Sequence, residues 1–223
     1  MARESQAELK ARIQALLRAL ADTYPQARCE LHYETPLQLL IATILSAQCT
    51  DKQVNIVTES LFRSYRTASD YACASQEQLE HDIRRIGLFR NKARHIRGCC
   101  TTLVECHSGE VPSSMEALLA LDGVGRKTAN VVLGNAFGIS AGIVVDTHVG
   151  RLSNRLGLSR ELSPHKIERD LANLVPRQLW TQLSHWLIWH GRRRCPARQP
   201  DCSRCEVRQW CPWVGPQKSR SSS

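Results

Sequence analysis

The stretch Leu121-Asp122-Gly123-Val124-Gly125-Arg126-Lys127-Thr128-Ala129-Asn130 decides how the chain is read. Two glycines bracket a valine between segments of helical apolar spacing. Upstream, Ser113-x-x-Glu116 has the form of a capping box and opens a short helix through Met115, Leu118, Leu119 and Leu121. Gly123 is expected to stop that helix, since glycine takes the left-handed C′ conformation without a Cβ penalty. Downstream, Thr128 to Phe137 reads as a second helix, ended by Gly138. The product is a helix, a two-glycine hairpin and a helix. Its backbone N–H groups, at Gly123 and Gly125, point to an anion at a helix N-terminus, where phosphate is a natural ligand.

Lys127 falls in the first turn of the second helix, where the macrodipole disfavours a cation. The same field eases removal of a proton from the amine, as a Schiff-base nucleophile requires. It also suits a phosphate gripped by Arg126 and Lys127 together. The residues alone leave both roles open.

The decapeptide resembles the helix-hairpin-helix of the endonuclease III family of DNA glycosylases. In that family the lysine matching Lys127 attacks C1′ of the damaged nucleotide. The family usually has proline where this chain has Asp122.

The 223 residues allow one large domain or two small ones, and 42% hydrophobic content supports a real core. Aromatics are only 5%, which favours helices over sheets. Thirty basic against 21 acidic residues give a net charge of +9, suited to a polyanion. A net +6 of this lies between His190 and Ser223, and Arg84, Arg85, Arg90, Lys92, Arg94 and Arg97 form a second cluster. Each cluster alone is compatible with a solvated face; two together point to nucleic acid. Glu4, Glu8 and Lys10 interrupt the N-terminal pattern, so no secretory signal is read. The apolar run from Leu37 to Ala47 is too short to span a bilayer. A cytosolic protein is expected, and its ten cysteines then point to metal or free thiols over disulfides.

Residues 5–23 read as an amphipathic helix through Leu9, Ile13, Leu16, Leu17 and Leu20. Thr35-Pro36 opens a buried helix, with an N-cap followed by an N1 proline. The polar break Ser46-Ala-Gln-Cys-Thr-Asp51 follows, and it reads either as a helix cap or as the family's Leu-Ser-x-Gln-x-x-Asp loop. In that loop the glutamine, here Gln48, fills the gap left by a flipped base. Ile86-Gly-Leu-Phe-Arg-Asn-Lys-Ala93 reads as core or as a wedge between base steps. The resemblance assigns intercalation to Leu88 and packing to Phe89. Asp146, in Val145-Asp-Thr-His148, suits a helix N-cap. The family has its catalytic aspartate there, and the two roles are compatible. His148 is expected as a pocket neighbour. Residues 163–190 read as one or two helices, with Trp180, Trp186 and Trp189 as packing residues.

Cys195, Cys202, Cys205 and Cys211 follow the spacing C-x6-C-x2-C-x5-C. Four thiols this close, without an oxidising context, point to metal ligation. A single C-x2-C pair leaves zinc possible, but all three intervals match the [4Fe–4S] loop of the endonuclease III family. The Cys195–Cys202 segment presents Arg198 to solvent, where the resemblance implies phosphate contact, although the family's loop is typically more basic than this one with Gln199 and Asp201. The other six cysteines share no ligand spacing and read as free thiols. Residues 215–223 are polar, Ser-rich and expected to be disordered.

The resemblance covers roughly residues 5–214. It implies an all-α, two-lobed helix-hairpin-helix glycosylase fold. A six-helix barrel lobe would comprise residues 29–140, and a [4Fe–4S] lobe residues 1–28 with 141–214. Lys127 and Asp146 would face each other across the groove between them. The implied protein is a monomeric bifunctional glycosylase and AP lyase acting on oxidised pyrimidines in damaged double-stranded DNA, with no membrane partner. Gln48, Leu88, Gly123, Gly125, Arg126 and Arg198 would touch DNA. A monofunctional adenine-mispair glycosylase and a non-catalytic iron–sulfur DNA-binding module are the alternatives. Lys127 argues against the first, and Lys127 together with Asp146 against the second.

Overall fold

The structure, a computed structural model, describes residues 4–213. The tail 215–223, with Lys218 and Arg220, lies outside the described residues. Every regular element among the described residues is helical. The chain divides into two compact units, one of Cys29–Ala141 and one of the residues up to Arg28 with those from Gly142 onward.

The second of these units begins with helix α1 (Gln6–Thr23), opened by a capping box between Ser5 and Glu8. Its Ile13, Leu16, Leu17 and Leu20 are buried, as the i, i+3, i+4, i+7 spacing requires.

In the Cys29–Ala141 unit, helix α2 (Pro36–Ser46) starts where Thr35 Oγ1 accepts from Gln38 N at 3.2 Å and Pro36 sets the first turn. Leu39 to Leu45 are all buried, so this helix runs through the middle of the core. Helix α3 (Asp51–Ser64) is capped by Thr50, and buries Val54, Val57 and Leu61 against α2. Helices α4 (Ala68–Cys73) and α5 (Gln76–Asp82) both pack on α6 (Phe89–His107). Tyr65 and Tyr71 stack at 4.8 Å, and Tyr71 is fully buried.

Helix α7 (Met115–Leu119) corrects the expected cap. The capping residue is Ser114, whose Oγ accepts from Ala117 N at 3.2 Å, and not Ser113. Glu116 therefore sits one position too early to complete a box. The helix also stops at Leu119, so Gly123 is not its C′ residue. Instead Val124 N donates to Leu121 O at 3.2 Å, closing a turn in which Gly123 has φ +73°. Helix α8 (Arg126–Ala136) begins two residues before the expected Thr128 and packs on α2 and α7.

The other unit continues with α9 (Thr147–Arg155), α10 (Pro164–Leu174) and α11 (Trp180–Arg193). The 163–190 segment is thus two helices, and the second reaches Arg193. Helix α11 packs on α9 and α1. Arg12 of α1 donates to Leu156 O at 2.8 Å and Trp210 O at 3.1 Å, tying α1 to segments far along the chain. Trp186 is buried, Trp180 Nε1 donates to Val175 O, and Trp189 Nε1 donates to Arg28 O. No helix among the described residues is long and apolar enough to cross a membrane.

Candidate active site

Gly125 is the N-cap of α8 and offers no side-chain cap to the first turn of the helix. Its φ of −92° is open to any residue, and a Cβ there would meet nothing within 4 Å. The fold does not require glycine at 125. At 123 it does: φ is +73°, and a Cβ would stand 2.7 Å from His95 Cβ on α6. A Cβ on Gly98, one turn further along α6, would overlap the Asp122 carboxylate. The hairpin therefore lies directly on α6. Arg126 and Lys127 are exposed in the first turn of α8, which contains no acidic residue.

Gln48 and Leu88 belong to the same unit, and both have left-handed backbones. Cys49 N donates to Ser46 O at 3.1 Å, with Ala47 at φ −58°, ψ 117° and Gln48 at φ 54°. This is a type II β-turn with glutamine where glycine is the usual residue. Leu88 is the N-cap of α6 at φ 60°, ψ 30°, and its side chain is 56% exposed. Such a conformation costs a residue with a Cβ about 1–2 kcal/mol, and such strain gathers at functional sites. The two loops adjoin, since a Cβ on Gly87 would lie 4.0 Å from Gln48 O. Phe89 packs partly buried on the core, as expected.

Between these loops lies Lys92, which the sequence places in a basic surface cluster. The structure corrects this: Lys92 is 4% exposed, and its Nζ donates to Leu45 O at 2.8 Å and Ala47 O at 2.6 Å. Burial lowers its pKa, opposed by the Cys49 thiol. The other basic cluster is also less free than its arginine count suggests. Arg194 pairs with Asp201 at 2.9 Å and Glu206 at 2.6 Å, and Arg204 pairs with Asp201 at 2.7 Å. Arg198 is exposed.

Asp146 sits in the unit containing α9, half-buried, as that helix's N-cap. Its Oδ1 accepts from Val149 N at 2.8 Å. Burial holds His148 below its ordinary pKa, opposed by Asp146 and helped by Arg151 and Arg192. Arg151 Nη2 lies 3.2 Å from His148 Nδ1 and donates to Gly191 O and Cys195 O. This links the Asp146 turn to the start of the cysteine loop.

Cys195, Cys202, Cys205 and Cys211 are all half-buried, and all ten cysteines are free of disulfides. Arg155 Nη1 lies 3.1 Å from Cys195 Sγ, and the Cys211 thiol faces Arg155 O at 3.4 Å. His190, 1% exposed, has Nδ1 2.9 Å from Tyr24 Oη and Nε2 3.6 Å from Cys205 Sγ. Burial pushes the His190 pKa down to about 4. Burial raises the Cys205 and Cys211 thiols, with neighbouring cysteines adding to it. N–H donors beside half-buried sulfur suit thiolate ligands of a cluster. Among the described residues, no three His, Cys, Asp or Glu side chains close on a site for a single ion. Sequence spacing missed Arg155, and marked His190 only as part of an apolar face.

The HhH-GPD superfamily model, describing base excision DNA repair proteins, matches residues 41–177. Endonuclease III of Synechocystis sp. is 52% identical over 206 residues, 92% of this chain and 94% of that protein. Endonuclease III of Bacillus subtilis is 44% identical over 89% of this chain and 91% of its own length. Among solved structures, a non-covalent endonuclease III–DNA complex matches with a TM-score of 0.86 and 47% identity, covering 91% of this chain and 95% of that one. A trapped endonuclease III–DNA covalent intermediate matches with the same score and coverage at 46% identity.

Proposed function

The chain belongs to the endonuclease III family of HhH-GPD base excision DNA repair proteins, and from that premise we propose that it is a bifunctional DNA glycosylase and AP lyase acting on oxidised pyrimidines in duplex DNA. The observation that carries this reading is its match, over 91% of its length, to endonuclease III bound to DNA and trapped covalently on it. We read Cys29–Ala141 as the six-helix barrel lobe and the remainder as the cluster lobe. The relatives are bacterial proteins, which supports work at the nucleoid in the cytoplasm.

A damaged base inside the stack must leave it before C1′ can be attacked. Leu88 wedges the stack open, and Gln48 offers amide donor and acceptor to the orphaned partner base. The N–H groups behind Gly123 and Gly125, with Arg126 and Arg198, hold backbone phosphates in register. Lys127 Nζ, neutral at the moment of attack, forms a bond to C1′ while the base leaves with the glycosidic electron pair. Asp146, held by its bond from Val149 N, stabilises the positive charge developing on the sugar and assists proton transfer. The nitrogen then loses its proton and the C1′–O4′ bond opens, O4′ taking up a proton, which gives the imine; loss of a C2′ proton from it expels the 3′ phosphate by β-elimination. Cys195, Cys202, Cys205 and Cys211 would hold a [4Fe–4S] cluster, which ties together a loop with little core of its own.

Borohydride trapping on duplex DNA containing thymine glycol or an abasic site tests the mechanism. A covalent adduct is expected with the native chain and none with Lys127→Ala. An adduct that survives Lys127→Ala would move the nucleophile elsewhere. Base release without any adduct would indicate a monofunctional glycosylase, and binding without release a non-catalytic module.

A further inference from the structure

We propose that Lys92 is a positioning residue that sets Gln48 and Leu88 as a single rigid probe. This rests on the reading of those two side chains as gap-filler and wedge.

The geometry of the Ser46–Cys49 turn carries the argument. Type I and type II turns differ chiefly in the orientation of the central peptide, which rotates by roughly half a revolution between them. Here that peptide joins Ala47 to Gln48, and its oxygen is Ala47 O. The Lys92 ammonium holds this oxygen at 2.6 Å. Released, the peptide is free to flip. Gln48 would then reach the negative φ that residues with a Cβ prefer, and its side chain would leave its present direction. The second acceptor, Leu45 O, is one of the carbonyls that α2 leaves unpaired at its C-terminus. Both acceptors belong to the backbone, so the ammonium fixes main-chain direction. Among the described residues no carboxylate accepts from it.

The same residue governs the other loop through its main chain. Lys92 N donates to Leu88 O at 3.1 Å, the bond that opens α6. The left-handed Leu88 is therefore bonded to the backbone of the residue whose side chain holds the turn of Gln48. One residue ties both tips, and a nearly buried cation keeps both acceptors because losing either would leave its charge under-solvated.

A double-mutant cycle tests this with full-length, cluster-loaded protein, Lys92→Met, Gln48→Ala and their combination. The readouts are single-turnover release of thymine glycol and affinity for the duplex. Each single change is expected to slow release by about 10-fold or more with affinity altered by less than about threefold, and the double variant to lose no more than about threefold beyond the worse single. Multiplying losses overturn the proposal, because Lys92 would then act independently of Gln48. A silent Lys92→Met beside an impaired Gln48→Ala overturns the proposal alone. A silent Gln48→Ala overturns it together with the gap-filling role of Gln48. A crystal structure of the Lys92 variant is expected to show Gln48 at negative φ, and an unchanged turn refutes the mechanism. If Lys92→Met does not fold, Lys92→Gln, which keeps a shorter donor, carries the same cycle and the same structure.

Discussion

Gly123 and Gly125 are chemically identical and do opposite work. Gly123→Ala forces a Cβ into the left-handed region and against His95, and is expected to cost about 2 kcal/mol in chemical denaturation. Gly125→Ala meets no protein atom. It should leave the denaturation midpoint unchanged and, on the proposed function, weaken duplex binding by filling the space offered to a phosphate. The glycine pair was legible as a hairpin because few other residues punctuate helices so clearly. The left-handed backbones of Gln48 and Leu88 were not legible, since apolar periodicity carries no information about the sign of φ. Lys92 was misread as surface charge because its acceptors lie more than forty residues upstream in sequence. No local pattern distinguishes a buried lysine from its arginine neighbours.

At the scale of helices, periodicity located the buried faces of α1 and α2, and caps located their starts. Adjacent candidates were harder. Ser113 and Ser114 are equivalent by type, and the burial of Leu118 in the core goes with the register that uses Ser114. Capping also carries a pH dependence. Asp70 closes the box on α4, where N–H groups of Thr67 and Arg66 hold its carboxylate below the ordinary value of 3.8. A depressed folded pKa gives stability that is present above the unfolded value and lost as pH falls through the folded one. Asp70→Asn should therefore lower the thermal midpoint at neutral pH and flatten its decline as pH falls through and below the ordinary carboxylate value of 3.8. At the end of α11, Arg194 joins Asp201 and Glu206 across the cysteine loop. Arg194→Met is expected to speed loss of the cluster's visible absorbance while leaving helical circular dichroism intact.

Across the whole molecule, net charge overstates the number of free cations. Arg204 is 78% exposed yet committed to Asp201, whereas Arg198 is exposed with no acidic partner among the described residues. Arg198→Ala should reduce the slope of log affinity against log salt by about one, and Arg204→Ala should leave it unchanged. The all-helical class and the cysteine spacing were plain in the sequence. The bonds through which Arg155 and His190 reach the cysteines were not, because they join residues distant along the chain. The division into two units has a consequence for synthesis. Helix α1 precedes the Cys29–Ala141 unit in the chain but packs on α11 and, through Arg12, against residues 156 and 210. The Cys29–Ala141 unit needs nothing later than itself for its own core. On the ribosome, the middle of the chain should reach its fold while the first helix is still waiting for its partners, and the cysteine loop closes the order.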